Sequence, residues 1–228
     1  MTVTCFLPCR QGSERIKNKN IKPFAGFNHG LIEIKINQLA NVDLIDTIVL
    51  STNDNTIIEF AKTLSLEKLV IDKRDDSLCA SQTRTDDLIH YVSKIIDQGH
   101  ILWTHVTSPF LTSKSYVEII KLYFKSLDEG YDSLMTTTEL RSFIWNQNGP
   151  VNYDRVIEKW PRTQTITPLH EVNSGAFLCD AYIYKNYNDR IGENPFLYTL
   201  DKIQGFDIDW DEDFIIAESL LDKKVAYV

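Results

Sequence analysis

Phe6-Leu7-Pro8-Cys9-Arg10-Gln11-Gly12-Ser13-Glu14-Arg15-Ile16-Lys17-Asn18-Lys19-Asn20 is an apolar run that breaks into a basic, polar loop. Val3 to Cys9 is short, apolar and rich in strand formers, which predicts a buried strand whose C-terminal end feeds that loop. From Arg10 to Lys22 there are five cations (Arg10, Arg15, Lys17, Lys19, Lys22) against one acid, Glu14. Phosphate accounts for this local inversion of charge. Gly12 permits a turn that aims backbone N–H groups inward, Ser13 adds a hydroxyl donor, and Arg and Lys neutralise an oligophosphate. The competing reading of the charge alone is a solvated basic loop.

Outward from this stretch, strand and helix patterns alternate. Leu31, Ile34, Ile36 and Leu39 predict a helix, Thr47–Thr52 a strand, and Asn53-Asp54-Asn55 the cap of a helix from Thr56 to Leu64. Leu69–Ile71 reads as a strand, Thr85–Asp97 as an amphipathic helix and Ile101–Val106 as a strand ending in the turn Thr107-Ser108-Pro109. A helix through Val117, Ile120, Tyr123, Phe124 and Leu127 stops at Gly130, and Asp132–Thr138 is another strand. Glu139 to Val172, with Trp145, Trp160 and three prolines, breaks the pattern and reads as an excursion, a cap or a subunit contact. Val172–Asp180 resumes the core, Ile203–Asp209 is predicted as a late strand, and Asp213–Leu221 as the final helix. The sum is an α/β fold: a Rossmann-like, mostly parallel sheet with helices on both faces, in one domain over 1–228.

The chain has 228 residues, 43% apolar and 25% charged, enough for a full core. A net charge of −8 argues against sequence-independent nucleic-acid binding and against an anionic membrane surface. The start lacks a basic region followed by a long apolar segment, and no apolar run approaches a spanning helix, so a cytoplasmic protein is expected. Cys5, Cys9, Cys79 and Cys179 are scattered without metal-site spacing and read as reduced packing residues.

In an open parallel sheet, ligands bind beyond the carboxyl ends of the strands, where the polar clusters of this sequence fall. Asp207 and Asp209 are two apart in a run that reads as extended, so both carboxylates are expected on one face. Two hard oxygen ligands there suit Mg²⁺. Neither Gly-x-x-x-x-Gly-Lys-Ser/Thr nor Gly-x-Gly-x-x-Gly is present, which removes the main support for a Walker-type ATPase or a dinucleotide oxidoreductase.

The segment Arg10–Asn20 resembles the N-terminal signature of the acylneuraminate cytidylyltransferases, the CMP-sialic acid synthetases. Val49–Asp54, Arg74 with Leu78 and the Ser/Thr-rich run after it, Thr107-Ser108-Pro109, Asn173-Ser174-Gly175-Ala176 (with one extra residue) and Asp207-Ile208-Asp209 with Asp213 resemble later elements of that family, in order. The resemblance implies transfer of CMP from CTP to an acidic sugar for surface glycan assembly, with Mg²⁺ held by Asp207 and Asp209 and with release of pyrophosphate. It implies that Arg10, Lys19 and Asp209 are catalytic. It further implies that Leu7, Pro8, Arg10, Gly12, Ser13, Arg15, Lys19 and Asn20 hold the nucleotide and that Arg74 with Thr83 or Thr85 frames the base. Acceptor contacts are implied for His105, Thr107, Ser108, Arg162, Gln164, Asn173 and Gly175, and a homodimer for the excursion.

The departures concentrate on the acceptor side. Glu14 stands where the family commonly has Lys, His105-Val106 replaces Gln-Pro, Leu111 replaces an Arg, and Glu171 falls near another. A carboxylate acceptor wants cations. Transfer to another acceptor, such as a different sugar or a phosphonate, is one alternative reading, and a silent nucleotide-binding homologue is the other.

Overall fold

The computed structural model describes residues 2–228. In chain order the elements are β1 (Val3–Pro8), α1 (Gly30–Ala40), β2 (Thr47–Thr52), α2 (Asn55–Thr63), β3 (Leu69–Lys73), α3 (Thr85–Ile95), β4 (His100–Trp103), α4 (Ser113–Asp128), β5 (Ser133–Leu140), β6 (Trp145–Asn146), β7 (Gly149–Pro150), β8 (Leu169–Asp180), α5 (Ala181–Asn186), β9 (Pro195–Leu200) and α6 (Asp211–Asp222). Local chemistry sets several boundaries. Asp54 accepts from Thr56 N at the start of α2, Thr112 from Ser115 N at α4, and Asp180 from Tyr182 N at α5.

Seven strands form one sheet in the order β3-β2-β1-β4-β8-β5-β9. β8 runs antiparallel to both of its neighbours, and the other pairings in this sheet are parallel. The chain leaves β1 toward β2 and β3, then returns to place β4 on the other side of β1. That reversal opens a crevice beyond the carboxyl ends of β1 and β4. One apolar cluster, from α1, α2, α4 and α6, covers one face of the sheet; a second, from α3, α5, Trp103 and Phe177, covers the other. Helices on both faces are therefore observed.

The predicted late strand Ile203–Asp209 is not a strand. Asp201 Oδ1 accepts from Ile203 N and Gln204 N, and Gly205 N donates to Asp201 O, so the chain turns there and then runs outside the sheet ladder to α6. The edge position belongs to β9, which opens on Pro195, where a missing N–H is tolerated. The departure from the sheet is also shorter than read: β5 continues to Leu140 and β8 begins at Leu169, and the intervening chain carries the small β6–β7 hairpin.

β8 bulges against β5. The register moves from Met135 opposite Phe177 to Thr137 opposite Val172, so residues 173–176 bow out of the ladder.

Candidate active site

The loop after β1 is tied down at both ends before any side chain reaches outward. Gln11 N donates to Asn53 Oδ1 at 2.9 Å, and Asn20 Nδ2 donates to Arg10 O at 3.1 Å. Gly12 sits at φ 79°, a left-handed conformation that a residue with a Cβ adopts at a cost. Arg10 Nη1 donates to Gly12 O at 2.9 Å, which folds the guanidinium over the turn.

Opposite this loop lies the segment that precedes α6. Ile208 N donates to Thr107 O at 2.9 Å, and Asp213 Oδ2 accepts from Asp209 N and Trp210 N, fixing the helix entry. Lys19 Nζ then bridges loop and segment, donating to Ile208 O at 2.8 Å and Asp209 Oδ1 at 3.1 Å, while Arg15 Nη1 lies 3.0 Å from Asp209 Oδ2. Burial alone would raise the Asp209 carboxyl, but the hydrogen bonds and charges of Lys19 and Arg15 outweigh it and hold the group below its ordinary range. Arg15 also stacks over Trp210.

Between the two walls is a cleft of about 370 Å³. Of the residues singled out from sequence, Pro8, Arg10, Ser13, Arg15, Lys19, Asn20, His105, Thr107 and Asp209 line it. Gly12 shapes the turn, and Leu7 is wholly buried beneath it. Glu14, Cys9 and Ser81 also line the cleft. Burial pushes the Cys9 thiol far up, so it is an inert wall residue.

Other expected residues lie elsewhere. Arg74 is buried, with Nε donating to Cys79 Sγ at 3.1 Å and Nη1 without a partner among the described residues. Thr83 Oγ1 donates to Ser77 O, Thr85 opens α3, and neither lines the cleft, whereas Ser81 from the same segment does. Arg162 and Gln164 are exposed in the excursion. Asn173 is spent on the bulge: Oδ1 accepts from Thr136 Oγ1 and Gly175 N, and Nδ2 donates to Thr138 Oγ1. At Gly175 a Cβ would come within 2.7 Å of Thr136 Oγ1 and 2.9 Å of Leu111 Cδ1, so close packing requires the glycine.

His105 Nε2 accepts from Trp103 Nε1 at 3.0 Å, which leaves Nδ1 as the donor nitrogen of a neutral ring. Burial, then the positive charges of Arg190, Lys35 and Lys19, push this imidazole down to about 3. It is a hydrogen-bonding wall residue and not a base at neutral pH.

Beneath the cleft runs a buried polar chain that the sequence reading passed over. Lys35 Nζ donates to Ser108 O at 2.8 Å and to Tyr116 Oη at 2.7 Å; Tyr116 Oη meets Thr104 Oγ1 at 2.8 Å, and Thr104 Oγ1 donates to Gly175 O at 2.7 Å. The available signal was a lysine set between Ile34 and Ile36 in an apolar helix stripe. This chain fixes the Thr107-Ser108-Pro109 turn and buries Ser108.

The carboxylates expected to take a divalent cation are Asp207 and Asp209. Asp209 faces the cleft, and Asp207 carries a buried Oδ1 with no partner among the described residues. Residues 206–209 run outside the sheet, with Ile208 buried between the half-buried Asp207 and Asp209; Asp209 lines the cleft, Asp207 does not, and Asp207 is among the charges that act on Lys35. An unpartnered buried oxygen on Asp207, two residues from the cleft carboxylate of Asp209, suits Mg²⁺, which takes one or two carboxylates and completes its shell with phosphate and water.

The whole chain can now be set beside known proteins. Residues 4–227 match the family model described as Cytidylyltransferase. The chain belongs to the cytidylyltransferase family. It is therefore a CTP-dependent nucleotidyltransferase. It is similar to the pseudaminic acid cytidylyltransferase of Campylobacter jejuni, 28% identical over 184 residues that cover 76% of this chain and 75% of that one. It is also similar to the N-acylneuraminate cytidylyltransferase of Escherichia coli, 21% identical over 229 residues, 97% of this chain and 52% of that one. In fold it is similar to a CMP:2-keto-3-deoxy-manno-octonic acid synthetase solved with CTP, with TM-score 0.68, 12% identity, and coverage of 98% of this chain and 100% of that one. No helix among the described residues is long and apolar enough to cross a membrane.

Proposed function

We propose that this cytidylyltransferase transfers CMP from CTP to a hydroxyl of a nonulosonic acid, supplying an activated acidic sugar for surface glycan assembly. The observation that carries the reading is the meeting of the basic β1 loop with Asp209 in one cleft at the sheet's switch point. Two relatives whose names specify pseudaminic acid and N-acylneuraminate support the acceptor class.

In the reaction the acceptor oxygen forms a bond to the α-phosphorus. The bond from that phosphorus to the oxygen bridging to the β-phosphorus breaks, and pyrophosphate leaves with the electron pair; the hydroxyl proton passes to solvent. Arg10, Arg15 and Lys19 stabilise the charge spread over the phosphate oxygens. CTP competes with Asp209 for Arg15 and Lys19, which are preorganised at its edge. Ser13 and Asn20 orient the triphosphate, and Arg74, whose buried Nη1 has no partner among the described residues, frames cytosine with Thr83 or Thr85. Asp207 and Asp209 would hold Mg²⁺, which when bound neutralises phosphate charge. His105, Thr107 and the turn at Ser108 bound the acceptor side, Arg162 and Gln164 reach toward it from the excursion, and Asn173 and Gly175 shape it indirectly through the bulge they hold. The excursion joins two copies into a homodimer. The protein acts in the cytoplasm, where CTP is made.

Pyrophosphate release from CTP with a panel of acceptors, with the product identified by mass, tests the reading. CMP-linked nonulosonic acid is the expected product. Turnover of another sugar or a phosphonate with no nonulosonic acid accepted would overturn it, and failure to bind CTP with Mg²⁺ in calorimetry would favour the silent homologue.

A further inference from the structure

Arg190 is a cation without an acid. Its guanidinium stacks 3.6 Å over the centroid of Phe177 and 5.3 Å from that of Trp103. Its side chain makes no hydrogen bond, and no carboxylate lies within ion-pair distance of it among the described residues. The adjacent Asp189 does not serve: its Oδ1 turns to the backbone, accepting from Arg190 N at 2.6 Å and Ile191 N at 3.4 Å. The loop that carries Arg190 is pinned. Cys179 Sγ donates to Arg190 O at 3.4 Å, Gly192 N donates to Ser133 Oγ at 2.9 Å, and Ile191 packs on the apolar cluster of that sheet face.

The position is as informative as the missing partner. Phe177 pairs with Trp103 at the carboxyl end of β4, the end that opens into the crevice. Trp103 in turn hydrogen-bonds His105, which lines the cleft. Arg190 does not itself line the cleft but stands behind Trp103, whose neighbour His105 does, and its charge is the largest of those that act on His105. A half-buried guanidinium left unpaired is costly to the fold by itself, and burial pulls its pKa down.

Among the described residues the other cations at the cleft have other tasks, and Arg10 is assigned to the triphosphate. Lys19 and Arg15 are engaged with Asp209, Lys35 is enclosed beneath the turn, and Arg162 is exposed in the excursion. Leu111 is buried and Glu171 is an acid. We propose that Arg190 is the carboxylate-binding residue of the acceptor site, its planar fork taking both carboxylate oxygens while Phe177 and Trp103 hold it flat. This rests on the acceptor class proposed above.

The test compares N-acetylneuraminic acid and pseudaminic acid, each as free acid and as methyl ester, in the wild-type protein, in Arg190→Met, which keeps much of the packing without the charge, and in Arg190→Lys, which keeps the charge without the fork. The expected result is a wild-type preference in kcat/KM for acid over ester that falls by about 10- to 100-fold in Arg190→Met, and by a smaller factor in Arg190→Lys, with the KM for CTP unchanged. Arg190→Lys carries the test if Arg190→Met does not fold. An acid-to-ester ratio equal to wild type in the folded variants, or a rise in the KM for CTP as large as that for the acceptor, would overturn the subsite alone. Turnover of neither acid by the wild-type protein would remove the acceptor reading, and the subsite with it.

Discussion

Lys19 Nζ stands 3.1 Å from Asp209 Oδ1 and 2.8 Å from Ile208 O, joining the loop after the first strand to the entry of the last helix across 190 residues of sequence. The lysine is largely sheltered and the carboxylate half open to the cleft, so the pair is only partly screened. It holds two walls of the active site in register and keeps Asp209 ionised.

Asp209→Asn is therefore expected to lower turnover by at least about 100-fold while leaving the fold in place, because it removes a cleft charge without changing volume. Steady-state pyrophosphate release and a melting curve check this together. Near-normal turnover would remove Asp209 from the mechanism. In the wild-type protein the Asp209 contribution to stability is present above the ordinary carboxyl range and is lost as pH falls through the depressed folded value, since protonation then occurs first in the unfolded chain.

Arg10→Ala separates binding from stability at the same loop. The side chain's one short bond is to Gly12 O at 2.9 Å, and it is solvent-facing, so the stability change should stay within about 0.5 kcal/mol. Turnover should fall by about 10-fold or more with the lost phosphate contact. A large drop in melting temperature would mark Arg10 as structural instead.

Why these residues were legible and others were not follows from the range of the interactions. The β1 run, the basic loop and the Asp54 cap are local patterns, and each stands where its own sequence puts it. Ile203–Asp209 reads as extended, yet Asp201 captures two backbone N–H groups ahead of it, and the edge of the sheet goes to Pro195–Leu200, whose Phe196, Tyr198 and Thr199 are the better strand formers. The Asn173 segment reads as a binding element, but its amide is consumed by Thr136, Thr138 and Gly175 across a bulge that only strand pairing creates. Arg190 carries no local signal at all: its meaning comes from Phe177 and Trp103, brought beside it by β4–β8 pairing.

Lys35 predicts a pH signature. Burial pushes its ammonium down to about 7, against the opposing pull of Cys5 and Asp207. Above that value the unfolded chain still binds the proton and the folded one does not, so stability rises with pH, with a slope of at most about 1.4 kcal/mol per pH unit. Below it the full cost of burying the charge is present. Urea unfolding between pH 7 and 8.5 should show this rise in the wild-type protein and lose it in Lys35→Met. The window stops there because Cys5, its thiol pushed up to about 12 by burial, reverses the trend once unfolded thiols ionise. Parallel profiles for the two proteins would refute the assignment. Lys35→Met also leaves Ser108 O and Tyr116 Oη a donor short, a cost of about 1–3 kcal/mol that removal of the buried charge partly offsets.

Arg74 should report on the nucleotide base. The residue is 2% exposed and its Nη1 has no acceptor among the described residues, a deficit that a base carbonyl would satisfy. Arg74→Met is expected to weaken CTP binding by about 10-fold with little loss of stability in the unliganded protein. Thermal shift with and without CTP reads both quantities. A variant that is much less stable yet binds CTP normally would make Arg74 a structural residue of the Cys79 turn.

The excursion carries the prediction about assembly. Phe143, Trp145, Tyr153 and Trp160 pack on one another, with Arg155 over two of the rings, but Trp160 remains 63% exposed, and Val156 and Ile157 are 94% and 85% exposed. An apolar knuckle of this kind would be stabilised by a second copy covering it, since burying each aliphatic side chain is worth about 1.5–3 kcal/mol. Sedimentation should find a dimer at micromolar concentration. Val156→Asp with Ile157→Asp should dissociate it while leaving the melting of the sheet domain in place, because both side chains touch solvent and not the core. A wild-type monomer at that concentration, or a dimer indifferent to the two charges, would mean that the excursion serves the site without joining subunits.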